Sequence, residues 1–218
     1  MKRYLAPSLL AADFGNLRDN IIMVNKSDAD YFHCDIMDGV FVPNLSFGFP
    51  VLEHIKKHAE KPLDVHLMII EPEKYISRYK QAGADILTVH LEACNHLHRV
   101  LQEIKSEGMM AGVSINPHTS VKLLENILTQ VDMILIMSVN PGYGGQVFIE
   151  QSYAKIATLR EMCDKVNPDI LIEVDGGVDM NNAGRLYETG VNILVAGTTV
   201  FKATDPIKMI NDLKKAKA

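Results

Sequence analysis

Short apolar segments bounded by turn residues alternate along this chain with longer segments of helical periodicity, and the alternation occurs eight times. The strand-like segments are 5–10, 31–35, 63–68, 85–90, 110–115, 131–138, 170–175 and 191–196. Between them the pattern predicts a helix over 14–25, one carrying Val51, Leu52 and Ile55, and one opening near Pro72, a favourable first-turn position. Further helices are expected around 100–107, after Asn116-Pro117-His118-Thr119, and over 206–215. Strand–helix–strand repetition reads as a parallel sheet covered by helices. Segment 131–138 is nearly all apolar, as a strand buried on both faces should be. Gly83-Ala84-Asp85 and Gly190-Val191-Asn192 each place a glycine between a helix and the next strand. No break in composition offers a domain boundary, so 1–218 is read as one domain. Eight units in this length match the α/β single (β/α)8 barrel, the TIM-barrel class. An open doubly wound sheet is the alternative, but no Gly-x-Gly-x-x-Gly follows the first strand.

Composition narrows the function classes. A net charge of -5 without any run of like charge argues against a nucleic-acid binder. Cys34, Cys94 and Cys163 are odd in number and widely spaced, which fits free thiols better than a disulfide framework or a thiolate metal site. The opening Met-Lys-Arg-Tyr-Leu-Ala-Pro-Ser lacks an apolar stretch of signal-peptide length, and no later segment is long and apolar enough to span a bilayer. The expected address is therefore cytoplasmic, with no membrane partner.

In such barrels chemistry collects at the carboxyl ends of the strands. Polar residues stand there in this chain: Ser8, His33 with Asp35, His66, His90, Ser138 and Asp175. Residues two apart on a strand share a face, so His33 and Asp35 project together while Cys34 points away. A core strand ending in a charged group must solvate or pair it. Convergence of His33, Asp35, His66 and Asp175 on one divalent cation would do so. Nitrogen and oxygen donors without thiolate admit zinc, iron(II), manganese or cobalt.

Three glycine-bearing turns follow the sixth, seventh and eighth strands: Asn140-Pro141-Gly142-Tyr143-Gly144-Gly145-Gln146, Asp175-Gly176-Gly177 and Gly197-Thr198. Glycine lets backbone amides crowd around an anion, and helix N-termini add a favourable dipole. One such turn would be read as a tight turn only. Three on consecutive strands, at the usual phosphate position of this fold, point to a phosphate site.

The motifs His33-x-Asp35-x-Met37-Asp38-Gly39 with Val42-Pro43-Asn44, Asp64-Val65-His66-Leu67-Met68, Ser138 through Gln146, and Val174-Asp175-Gly176-Gly177 together resemble the ribulose-phosphate 3-epimerase family. The resemblance runs from Ala6-Pro7-Ser8 to Gly197-Thr198. It implies a ribulose-phosphate-binding (β/α)8 barrel holding one divalent metal through His33, Asp35, His66 and Asp175, with Asp35 and Asp175 as the acid–base pair. It further implies that Ser8 and His66 contact a small phosphorylated ketose. Met37, Met68 and Met137 are core by default, and by resemblance line the site. Tyr143 stands where the family commonly has phenylalanine, and Thr198 where it commonly has serine. Both changes keep the backbone donors. An aspartate at Gly144 or Gly177 is expected to repel phosphate more than it disturbs folding.

Inverting a hydroxyl-bearing carbon beside a ketone requires a proton removed from one face and another delivered to the opposite face, hence two acid–base groups. The nearest rival is an epimerase of a related ketose phosphate such as allulose 6-phosphate. A Schiff-base aldolase would need a lysine inside a strand, and every lysine here falls on a helix or turn. A non-catalytic phosphosugar-binding protein would not need both aspartates. His54, His58, His96, His98 and His118 read as surface groups, and His90 as a group behind or beside substrate. A homo-oligomer is expected.

Overall fold

Eight parallel strands form a ring in chain order, each pairing with its sequence neighbours. The computed structural model describes residues 2–218. The units run β1 (Tyr4–Pro7), α1 (Leu17–Asn25), β2 (Phe32–Met37), α2 (Phe49–His58), β3 (Leu63–Met68), α3 (Ile76–Gln81), β4 (Ile86–His90), α4 (Leu97–Ser106) and β5 (Met110–Ile115). They continue through β6 (Met133–Met137), α5 (Ser152–Val166), β7 (Leu171–Asp175), α6 (Ala183–Thr189), β8 (Ile193–Ala196), α7 (Thr198–Phe201) and α8 (Pro206–Lys214). Between β1 and β2 the ring meets through one parallel bridge, Ser8 to His33. The seam of the barrel thus lies among candidate site residues. Among the described residues no helix is long and apolar enough to cross a membrane.

Period-two alternation sorts the strand residues between two cores. Phe32, Cys34 and Ile36 of β2, Leu63, Val65 and Leu67 of β3, and Ile172 and Val174 of β7 pack outward into the apolar layer beneath the helices. The alternate positions face the axis. At the amino end these are apolar, with Ala6, Ile86, Met133, Ile193 and Val195 in one cluster. Higher up they are His33, Asp64, His66 and Glu173, all buried. A polar layer inside a closed barrel needs mutual pairing, because water cannot satisfy it.

Several boundaries shift, with β2 running to Met37 rather than Asp35 and the first turns at Phe14–Asn16 and Pro72–Tyr75 being 3-10, and two elements differ further. The first strand ends at Pro7, and Leu9–Ala11 forms a 3-10 turn that buries Leu9; an apolar run alone does not separate strand from turn. The helix expected after Asn116–Thr119 is a 3-10 helix, Val121–Ile127, whose Ser120 cap accepts from Lys122 N–H. Its buried residues Val121, Leu124 and Ile127 recur every third position, the 3-10 period.

A repeated clamp fixes the amino end. The residue just before each even strand accepts a hydrogen bond from a backbone amide at the start of the preceding odd strand. Asp30 takes Leu5 N–H at 2.9 Å, Asp85 takes Leu63 N–H at 2.9 Å, Asp132 takes Ala111 N–H at 2.9 Å and Asn192 takes Ile172 N–H at 2.9 Å. The three aspartates also pair with Lys214, Lys56 and Lys105, each 2.8 Å away. The neutral Asn192 needs no such cation. Sheet register is thereby pinned once per two units.

Candidate active site

The site is built where β2, β3 and β7 end. Asp35 lies at its centre, 2% exposed. Ser8 Oγ donates to Asp35 Oδ2 at 2.7 Å, while Asp35 Oδ1 lies 3.2 Å from His33 Nε2 and 3.1 Å from His66 Nδ1. Asp175 joins them: one donor atom from each of His33, Asp35, His66 and Asp175 falls within 4.8 Å of the others. His33 Nε2 is buried, and its approach to Asp35 Oδ1 lacks hydrogen-bond geometry, which leaves it without a hydrogen-bond partner. Two imidazole nitrogens and two carboxylate oxygens at this spacing suit a divalent cation, and the unpartnered His33 Nε2 is the donor such an ion would satisfy.

The charges are not equivalent. Burial alone would push Asp35 up, but His33 and His66 together hold its carboxyl well below the usual carboxylate range. Burial and then the neighbouring Asp35 push Asp175 up to about 6. In the protein alone the two carboxyl groups are poised differently, Asp35 held down by its histidines and Asp175 raised by burial and by Asp35.

Two groups behind the histidines escaped sequence reading. His33 Nδ1 bonds Asp64 Oδ2 at 2.5 Å, and Glu173 Oε1 lies 3.8 Å from the same nitrogen. Burial and then Asp64 drive Glu173 well above the usual range, favouring the neutral acid, so His33 Nδ1 faces one carboxylate rather than two. Their signal was present: Asp64 shares a strand face with His66, and Glu173 with Asp175. His90, buried at the end of β4, contacts His66 and packs 4.6 Å from the Phe41 ring. Burial lowers His90 to about 4, so it is a neutral imidazole.

Above this cluster opens a cavity of about 400 Å³. Ser8, Asp35, Asp175 and the three methionines Met37, Met68 and Met137 line its floor and wall. Gly142, Tyr143, Gly144 and Gly145, with Gly176, Gly177, Gly197 and Thr198, line the rest, so the three glycine turns do meet around one space. Thr199 and Lys202 add to that side, and Lys202 brings a cation that the sequence reading overlooked. The first amides of α7 have no acceptor within their own helix and lie on the same rim. His33 and His66 sit behind Asp35 rather than on the cavity surface. Two loops cover the mouth: Asn44 Nδ2 donates to Gly142 O at 2.7 Å, and Tyr143 OH donates to Pro43 O at 2.6 Å. Ser138 Oγ donates to Asp175 O and Gly176 O, which orders the turn after β7.

One expectation fails here. Gly177 has φ +65°, and a Cβ there would meet Phe148 N at 2.6 Å, so an aspartate at 177 would disturb the backbone itself. At Gly144 a Cβ meets only Thr198 Oγ1, at 3.9 Å. Elsewhere, His54, His96, His98 and His118 are exposed and His58 partly so, and the three cysteines are free.

With the geometry in place, comparison with known proteins decides the family. Residues 4–201 match the model of the ribulose-phosphate 3 epimerase family. The chain belongs to the ribulose-phosphate 3-epimerase family. It is 48% identical over 214 residues to the ribulose-phosphate 3-epimerase of Bacillus subtilis, covering 98% of this chain and 99% of that relative. It is 47% identical to the one from Synechocystis, with 98% and 94% covered. Among solved structures, KGPDC from Streptococcus mutans superposes with a TM-score of 0.73 at 14% identity, covering 98% and 96%. At that identity the likeness shows the fold alone.

Proposed function

We propose that the protein is a metal-dependent isomerase that interconverts D-ribulose 5-phosphate and D-xylulose 5-phosphate, with Asp35 and Asp175 as its two acid–base groups. The observation that carries this reading is a pair of carboxyl groups, Asp35 and Asp175, at the ends of non-adjacent strands, meeting in one cluster and facing one cavity. Family membership and identities up to 48% with ribulose-phosphate 3-epimerases support the same reaction.

His33, Asp35, His66 and Asp175 would hold a divalent cation, which would supply positive charge to stabilise the negative charge of an enediolate; zinc, iron(II), manganese and cobalt all suit these donors. The phosphate lies among Gly144, Gly145, Gly176, Gly177, Gly197 and Thr198, with Lys202 as a cationic neighbour. Anchored there, the sugar extends toward Asp35 and Asp175. The ionised carboxylate takes the proton from carbon 3 on one face. The other carboxyl returns a proton to the opposite face of the planar enediolate. In the reverse direction the two exchange duties. Ser8 holds Asp35 Oδ2 by its hydroxyl and so fixes the orientation of that carboxylate. Met37, Met68 and Met137 present apolar surface to the reacting carbons, which keeps water from protonating the enediolate. The loops joined by the Asn44–Gly142 and Tyr143–Pro43 bonds cover the site during turnover. The same reading includes a homo-oligomer.

Incubation with ribulose 5-phosphate and, separately, allulose 6-phosphate tests the assignment. Preference for the pentose substrate is expected. Preference for the six-carbon substrate, or turnover of neither, would overturn it.

A further inference from the structure

We propose that His90 and Glu92 are positioning residues that dictate which nitrogen of His66 offers a lone pair to the site. The proposal rests on the metal-site reading above and concerns residues behind it.

The chain of contacts runs outward from the site. His66 Nδ1 faces Asp35, and His66 Nε2 lies 2.9 Å from His90 Nε2. The other nitrogen of His90, Nδ1, lies 3.2 Å from Glu92 Oε2. Glu92 Oε1 in turn accepts from Asn116 N–H at 2.8 Å and from the Thr119 hydroxyl. Each imidazole therefore spends one nitrogen inward and one outward, so the protons along the chain are not independent.

Glu92 sets the direction. Its Oε1 already takes Asn116 N–H and the Thr119 hydroxyl, and a carboxylate offers only lone pairs at Oε2. An acceptor at Oε2, 3.2 Å away, requires a proton on His90 Nδ1. With one proton on the ring, His90 Nε2 carries the lone pair. Of two facing nitrogens at 2.9 Å one must donate, so His66 carries its proton on Nε2. A neutral His66 so protonated turns a bare Nδ1 toward Asp35 and Asp175, ready to ligate. With the opposite arrangement, His66 Nδ1 would hold the proton and be closed to a cation, while His90 Nδ1 would set a lone pair against a carboxylate. His33 has a matching arrangement, with Asp64 on Nδ1 and Nε2 turned inward toward Asp35. The two histidines thus present opposite ring nitrogens, each fixed from behind by a carboxylate. The carboxylate behind His66 acts through an intervening imidazole. Hydrogen bonds of this kind orient a ligand and fix its tautomer.

Two measurements on the full-length protein test this. In zinc-loaded, ¹⁵N-histidine-labelled parent protein, the nitrogen shifts are expected to show His90 protonated on Nδ1 and His66 on Nε2; a proton on His90 Nε2 would overturn the relay. The second is zinc affinity, measured by competition with a chromophoric chelator for the parent and for Glu92→Gln, with folding checked by circular dichroism. The glutamine amide can donate to His90 Nδ1, which permits the inverted arrangement. Its dissociation constant for zinc is expected to rise about 10–100-fold. Unchanged affinity in the folded variant would remove the positioning role while leaving the metal site intact. Failure of the parent to bind zinc would instead remove the metal site, and the relay with it.

Discussion

Replacing Gly144 with aspartate sets a carboxylate on the cavity rim without a steric cause for misfolding. A Cβ at this position has one neighbour within 4 Å, Thr198 Oγ1 at 3.9 Å, and the residue is exposed. Taking about 4 Å between the new charge and a phosphate held beside Thr198, a pair of unit charges repels by about 1 kcal/mol in water and about 4 kcal/mol at an effective dielectric near 20. An open rim lies between these limits, so KM for ribulose 5-phosphate should rise about 5- to 1,000-fold. Gly144→Asn has nearly the same shape without the charge and isolates the electrostatic part. Initial rates at matched metal loading give KM for both variants. Raising the salt should narrow the gap, since the Debye length falls from about 30 Å at 0.01 M to about 3 Å at 1 M. If folded Gly144→Asp and Gly144→Asn share one KM at low salt, the phosphate does not bind beside this turn.

Asp132→Ala should lower stability to urea by about 1–3 kcal/mol, because the buried Ala111 N–H loses its acceptor, whereas Asp132→Asn should cost less than about 1 kcal/mol, as Asn192 performs the same task in the last unit. Equal losses in the two variants would assign the effect to the Lys105 ion pair instead. Gly177→Ala should be destabilised by more than about 2 kcal/mol in the same assay, from its left-handed φ and the 2.6 Å approach to Phe148 N; an unchanged midpoint would contradict the loop geometry. Exhaustive chelation should abolish epimerisation, and zinc, manganese, cobalt or iron(II) should restore it; a verified metal-free preparation at full rate would refute the metal assignment.

The fold was legible because its units repeat. The third and fifth strands, Leu63–Met68 and Met110–Ile115, match the sequence reading residue for residue, the third starting directly after Pro62 and the fifth ending directly before Asn116-Pro117. Boundaries failed where an apolar run continued past the sheet, as at Leu9–Ala11, or where a period of three masqueraded as helix, as at Val121–Ile127. In the site, His33, Asp35, His66 and Asp175 stood out because a charged group at a buried strand end demands an explanation. Asp64 and Glu173 lie two residues earlier on the same faces and were readable by the same alternation, had it been carried one step down the barrel. Lys202 and Glu92 were not readable in this way. Each reaches its place by the path of a loop or short helix after the strand, which no periodicity encodes.

The central claim is that Asp35 and Asp175 work on opposite faces of one carbon. Its most direct test is solvent-deuterium exchange at carbon 3 by metal-loaded Asp175→Asn, followed separately for ribulose 5-phosphate and xylulose 5-phosphate. The account predicts that interconversion is lost while one of the two epimers still exchanges its carbon 3 proton through the remaining Asp35. Epimerisation by this variant at the parent rate would contradict it.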